Sequence, residues 1–194
     1  MKSTINCTMH RNGEVNQHQC YTIEQGNKSL SIQEHATIEG NKSIAIDCLF
    51  SITPAGYSDI SLSVARDGNI SHKLDFTHHS SESSKMVVNG VGSDVELNGE
   101  MILLDGPNPM FDYANAMYLL GIQDMEICIR TVNVLDWNTG VFYPLEYEFS
   151  KKENTISINK KEMGITGELT LDASGSAITE ASYSNGEQYF FEYS

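Results

Sequence analysis

A period of two constrains this sequence more than any other feature. Apolar and polar residues alternate over short runs, and Asn-Gly or Asp-Gly pairs break the runs. Alternation puts successive side chains on opposite faces of a strand. Asn-Gly and Asp-Gly accept the positive φ of a two-residue hairpin turn. Ile60, Leu62 and Val64, spaced by Ser61 and Ser63, show the pattern clearly. Thr4–His10 and Gln17–Glu24 flank Asn12-Gly13. That arrangement predicts a hairpin with Arg11 opposite Glu14 and Cys7 opposite His18.

Further strands are expected at Ser29–Ile38, Ser43–Ile52, Tyr57–Arg66 and Ile70–Thr77, with Asp67-Gly68-Asn69 as a hairpin turn. His78–Lys85 reads as a polar loop, and Met86–Val88, Val95–Leu97 and Met101–Leu104 as short strands. Gly90 and Gly92 are assigned to turns or bulges. Later strands are expected at Met125–Leu135, Val141–Phe149, Thr155–Asn159, Gly164–Leu171, Ala177–Tyr183 and Gln188–Tyr193. Turns fall at Asn138-Thr139-Gly140, Asp172-Ala173-Ser174-Gly175 and Asn185-Gly186. Pro144 lacks an N–H, which assigns it to an edge or a bulge. Trp137 reads as a rim anchor. The fold class is mainly β, an antiparallel open barrel or sandwich of about a dozen strands.

One segment breaks the alternation. Asp105-Gly106-Pro107-Asn108-Pro109 is rich in turn formers, and Met110–Leu120 then reads as a helix. Asn108 suits the cap, Pro109 the first helical position and Gly121 the stop. The result is one short helix near residues 109–120. Its apolar residues lie nearly all round, so it is expected to be buried on most sides. Residues 1–194 read as a single β domain. Two halves of similar kind, 1–104 and 122–194, are joined by the loop-helix segment, and the helix plugs one end.

Charge removes several function classes. The 194 residues carry 12 basic and 26 acidic side chains, a net charge of −14. Such a chain is repelled by polyphosphate and by anionic lipid surfaces, so no nucleic-acid partner is expected. No apolar run reaches the roughly 20 residues of a membrane span. Met1–Gly13 lacks the apolar core of a secretory signal. Cys7, Cys20, Cys48 and Cys128 are widely spaced and read as small core residues in a reducing compartment, so a cytoplasmic location is expected.

Catalytic motifs are absent. Gly90-Val91-Gly92-Ser93-Asp94 lacks the final glycine of a nucleophile elbow, and no phosphate-binding loop occurs. In the hairpin register above, Cys7, His18 and Cys20 share a face, but a fourth zinc ligand is missing. His78-His79 has no further ligand nearby. No metal site, cofactor or catalytic residue is assigned. Asp105 with Asp112, or Asp47 with Asp59, match the carboxylate pairs of a hydrolase by type alone. Phe111, Tyr113, Met117 and Tyr118 are the candidate ligand-binding residues, because methionine and aromatic side chains make adaptable walls for apolar ligands.

Asp112–Leu120, the Asp136–Gly140 turn, Pro144-Leu145-x-Tyr147 and Gly167-x-Leu169-x-Leu171-Asp172-x-x-Gly175 follow one another in an order that resembles bacterial glycolipid-binding proteins and related uncharacterised two-half β-barrels. The resemblance covers roughly residues 105–194. It implies two curved sheets forming an open barrel, a helix near the break and an apolar cavity. It carries over no catalytic residue.

The leading expectation is a non-enzymatic barrel that binds a lipid-like small molecule in an internal cavity. A second reading is an accessory or homo-oligomeric interaction module that meets a basic partner. A third is a carboxylate-dependent hydrolase or isomerase.

Overall fold

The computed structural model describes residues 2–12, 14–25, 30–38, 44–52, 58–66, 69–80, 83–95, 102–105, 109–123, 126–136, 141–175 and 177–193. These hold fifteen strands: β1 Lys2–Arg11, β2 Glu14–Gln25, β3 Leu30–Ile38, β4 Ile44–Ile52, β5 Ser58–Arg66, β6 Asn69–Ser80, β7 Ser83–Val88, β8 Val91–Val95, β9 Ile102–Asp105, β10 Ile127–Asp136, β11 Phe142–Lys152, β12 Thr155–Lys160, β13 Ile165–Leu171, β14 Ile178–Tyr183 and β15 Gln188–Tyr193. One helix, α1 Pro109–Gln123, lies between β9 and β10, and one 3-10 turn, Lys161–Met163, follows β12.

All fifteen strands belong to one sheet, ordered β8-β7-β6-β5-β4-β3-β2-β1-β15-β14-β13-β12-β11-β10-β9. Strands adjacent in sequence pair as antiparallel hairpins from β1 to β8 and from β10 to β15, and the first and last strands pair with each other, Cys7 opposite Tyr193 and Met9 opposite Phe191. One pair departs from the antiparallel expectation. β9 runs parallel to β10, with Val134 opposite Leu103. Parallel neighbours need a crossover rather than a hairpin, and α1 is that crossover.

The alternation expected from the sequence is the burial pattern observed. Leu145, Tyr147 and Phe149 of β11, Ile156 and Ile158 of β12, and Leu169 and Leu171 of β13 are buried, while the residues between them face outward. Ile60, Leu62 and Val64 are buried in the same core cluster. Tyr147 and Phe149 stack with ring centroids 4.9 Å apart. Phe76 of β6 meets Phe142 of β11 edge-on at 5.0 Å, so the two ends of the sheet close onto each other. β5 also lies against β9. The sheet thus curls into a barrel-like wall.

α1 lies inside the curl. It packs against β3 on one side and against β9, β10, β11, β12 and β14 on the others. Every residue from Met110 to Ala116 and from Tyr118 to Leu120 is buried. A helix enclosed by a sheet has no solvent face to keep polar, and α1 has almost none.

Several local expectations change. β1 and β2 pair Arg11 with Glu14, but a bulge between Met9 and His10 then shifts the ladder by one residue. Cys7 therefore lies opposite Gln19, and His18 opposite Thr8. A one-residue shift moves a residue to the other face, so Cys7 no longer shares a face with His18 and Cys20. Within His78–Lys85 the described residues, 78–80 and 83–85, are strand and not loop. β6 continues to Ser80 and β7 starts at Ser83, with His78 opposite both Ser58 and Ser84. Ladder hydrogen bonds do not require apolar side chains, which is why a polar run extends the hairpin. Asn89 and Gly90, both at positive φ, form the next turn, and β8 occupies Val91–Val95 with Gly92 within it, while residues 96 and 97 of the expected Val95–Leu97 strand lie outside the described residues.

α1 runs through Gly121 to Gln123 instead of stopping there. Glycine disfavours a helix interior by only about 1 kcal/mol, and enclosure by the sheet outweighs that. Pro144 sits in β11, which has neighbours on both sides, opposite Asn133 of β10. The β12 ladder reaches only to Tyr147, so Pro144 lies past its end and is locally at an edge. Trp137, the Asn138-Thr139-Gly140 turn and the cap residue Asn108 lie outside the described residues.

Candidate functional site

The interior carries one polar cluster. Among the described residues the buried polar side chains are Asp112, Asn115 and Lys160. Asp112 lies in the first turn of α1, where the helix dipole favours a negative charge. Lys160 ends β12 at the inward position of the series Ile156, Ile158, Lys160. Its Nζ is 2.9 Å from Asp112 Oδ1, and each side chain is 8% exposed.

Local structure holds Lys160 in place. The 3-10 turn after it ends at Gly164, whose φ of 64° is left-handed. The Glu146 backbone N–H donates to Glu162 Oε2 at 2.8 Å, and Lys161 pairs with Glu146. Both contacts pin the turn to β11. Lys160 Nζ also lies 5.6 Å from the Tyr147 ring centroid, within cation–π range.

Tyr183 completes the cluster from β14. Its hydroxyl donates to Asp112 Oδ2 at 2.8 Å. The ring passes over Gly167, its partner on β13. A Cβ at position 167 would lie 2.6 Å from Tyr183 Cδ1 and 2.8 Å from Cε1. The missing side chain is what admits the ring. Burial raises the Tyr183 hydroxyl far above the usual tyrosine range, and the charge and hydrogen bond of Asp112 raise it further. Tyr183 therefore donates a proton to a hydrogen bond and does not act as a base. Tyr189 meets Tyr183 edge-on at 6.1 Å, and the Arg11 guanidinium lies 5.8 Å from the Tyr189 ring centroid.

Chemically the cluster is a carboxylate held by two donors. The wall supplies the ammonium and the phenol, and the helix supplies the carboxylate.

Behind this wall, on the outer face of the same strands, lies a groove of about 510 Å³. Glu148, Ser157, Asn159, Glu168, Ser182 and Ser184 line it. Asn159 Nδ2 donates to Glu148 Oε2 at 3.3 Å. These are the outward positions of β11 to β14, and small hydroxyl residues leave the hollow.

The ligand-binding candidates Phe111, Tyr113 and Tyr118 are buried on α1, and Met117 is partly buried against the same core. They share α1 with Asp112 and are not among the residues that line the outer groove. Burial pushes the Tyr113 hydroxyl up to about 12, with Asp172 adding to the shift. Of the two carboxylate pairs, the Asp105 side chain lies outside the described residues. Asp112 is taken up by Lys160. Asp47 faces Ser63 and Asp59 faces Ser51, four ladder steps away, about 14 Å along the strands. That exceeds the separation either glycosidase geometry allows. Cys7 and Cys128 are buried thiols, as expected of core cysteines. Among the described residues no group of histidine, cysteine or acidic side chains could hold a metal ion. No helix among them is long and apolar enough to cross a membrane.

Sequence reading missed Lys160, Tyr183 and Gly167. One signal was available for Lys160: a lysine at the inward position of an alternating strand needs a buried partner.

No family model matches the chain, and no curated protein matches it. Among solved structures it is similar to the crystal structure of a beta-barrel-like protein of domain of unknown function DUF1849 from Brucella abortus, with a TM-score of 0.57 and 6% identity over 100% of this chain and 95% of that one. At that identity the likeness concerns the fold alone. It supports a barrel-like fold of unknown function and does not extend to glycolipid binding.

Proposed function

We propose that this chain is a non-catalytic carrier whose lumen takes an apolar or amphipathic small molecule of the lipid class, with α1 filling the lumen when the ligand is absent. One observation carries the reading: a 15-residue helix, apolar nearly all round, is enclosed by a curled sheet and tied to it by one buried ion pair. Phe111, Tyr113, Met117 and Tyr118 are the side chains the ligand would displace or pack against. The end strands β8 and β9 are not paired with each other. Opening the curl between them breaks no described ladder, whereas a closed barrel would have to lose one. Buried thiols at Cys7 and Cys128 support a reducing compartment such as the cytoplasm.

Native mass spectrometry of freshly purified protein, beside a denatured control and an organic extract, tests this reading. The expected result is a co-purified mass of a few hundred daltons that leaves on denaturation. Bare protein that forms a concentration-dependent oligomer, with an empty extract, would instead favour an interaction module.

A further inference from the structure

The bulge in β1 parts Cys7 from His18 and Cys20, and β3 brings a different residue beside them. Cys20 of β2 lies directly opposite His35 of β3, and His35 lies directly opposite Asp47 of β4. Directly opposed residues of an antiparallel ladder share a face. Asp47 is exposed, and its partner on β5 is Ser63, which stands between the buried Leu62 and Val64. The shared face is therefore the outer one. His18 precedes Cys20 by two residues on β2, so it belongs to the same face. The side chains of His18, Cys20 and His35 lie outside the described ones, and their positions are those of the backbone ladder.

We infer that His18, Cys20 and His35 form a surface site for one zinc-class divalent ion, with three protein ligands and a fourth position for water. The site is independent of the lumen and of the carrier reading.

Ladder geometry sets its size. Residues two apart on a strand are separated by about 6.8 Å. Opposed residues are separated by about 4.5–5.5 Å, and diagonal ones, such as His18 and His35, by about 7–8 Å. Imidazole and thiol arms span a triangle of that size with ligand bonds of about 2.0–2.3 Å. Two residues on one strand and one on its neighbour surround an ion, whereas a straight row over three strands does not. Asp47 lies at the far end of such a row, about 9.6 Å from Cys20 across two strand spacings. It is a positioning residue rather than a ligand, since a carboxylate beside a metal-bound histidine accepts the second ring N–H. The donor set selects the ion. Thiolate favours zinc and cuprous copper, and imidazole suits zinc. Binding sends the Cys20 thiol proton to water, one proton for each ion held. The chain's net charge of −14 attracts cations to its surface.

The test titrates the full chain, reduced and stripped with a chelator, with cobalt(II) as the spectroscopic probe. A sulfur-to-cobalt charge-transfer band and tetrahedral d–d bands are expected, both saturating at one equivalent and both erased by zinc. Cys20→Ser should lose the charge-transfer band. Cys48→Ser, whose position opposite Leu62 is on the other face, should keep it. Asp47→Asn should weaken binding about 10–100-fold, and His18→Gln and His35→Gln should each weaken it more. Zinc should raise the thermal midpoint of the wild type and leave that of Cys20→Ser unchanged. Circular dichroism checks that each variant folds, and Cys20→Ala replaces Cys20→Ser should the latter fail. A wild type without the charge-transfer band, a band that survives the loss of Cys20, or binding indifferent to both histidine changes overturns the inference.

Discussion

Lys160 Nζ on strand β12 lies 2.9 Å from Asp112 Oδ1 on helix α1, and the pair joins the internal helix to the barrel wall. Such a pair contributes little over an apolar replacement, but removing one partner leaves the other charged and buried. Asp112→Ala and Lys160→Ala should each destabilise the fold by about 3–5 kcal/mol. The double change Asp112→Leu with Lys160→Met should recover much of that loss. Urea unfolding of the four proteins in a double-mutant cycle measures the coupling. Additive losses would mean that the pair does not act as a unit.

The Gly167–Tyr183 contact makes a steric prediction. Gly167→Ala puts a methyl group into the Tyr183 ring, and the ring must move away from Asp112. Overpacking of this kind costs about 1–3 kcal/mol. In a Tyr183→Ala background the same change should cost less, because the obstructing ring is gone and only the Ser182 carbonyl oxygen, 3.2 Å from the new Cβ, remains close. Chemical denaturation of the single and double variants decides it.

Buried tyrosines predict loss of stability in alkali. In the unfolded chain tyrosine ionises near pH 10. In the fold, burial pushes Tyr113 up to about 12 and raises Tyr183 further. The folded state therefore holds protons that the unfolded state has lost. Stability from these groups is intact below about pH 10 and falls as pH rises above it, by up to about 1.4 kcal/mol per pH unit for each tyrosine. Ultraviolet titration should show a set of tyrosines that ionise only as the protein unfolds. Tyr183→Phe should flatten the decline. A full tyrosine titration with the fold intact would contradict the assignment.

Cys128 gives a kinetic prediction. Burial raises its thiol above the ordinary range, and Arg130 only partly opposes the shift. The thiolate is the reactive form, so its fraction at neutral pH falls. Iodoacetamide followed by peptide mass mapping should leave Cys128 and Cys7 unmodified in the native protein and modify both in urea. Rapid native labelling of Cys128 would show that β10 opens easily.

Much of the fold was legible because the signals are local. Gln188–Tyr193 matches β15, and the Asp172–Gly175 and Asn185-Gly186 turns fall where their residue types place them. The alternation of β11 to β13 is a direct consequence of the pleat, which each strand carries in its own residues. Where one extra residue decides the outcome, local reading fails. The bulge at Met9–His10 reverses the faces of everything beyond it, and no pattern within β1 announces it. The polar residues 78–80 and 83–85 are strand and not loop because pairing strength lies in the backbone, which composition does not report.

Residue pattern alone settled the β class, the Asp172–Gly175 and Asn185-Gly186 turns and an internal helix that begins at Pro109. Assembly decided the rest. The pairing of β1 with β15, the parallel run of β9 beside β10 and the closure of Phe76 on Phe142 each join segments distant in sequence. So does the Tyr183–Asp112 hydrogen bond, across 71 positions. A lysine, a tyrosine and an aspartate scattered along an acidic chain are unremarkable one by one. They become a single cluster because the sheet curls around α1 and brings the lysine and the tyrosine of the wall onto the aspartate of the helix, away from water.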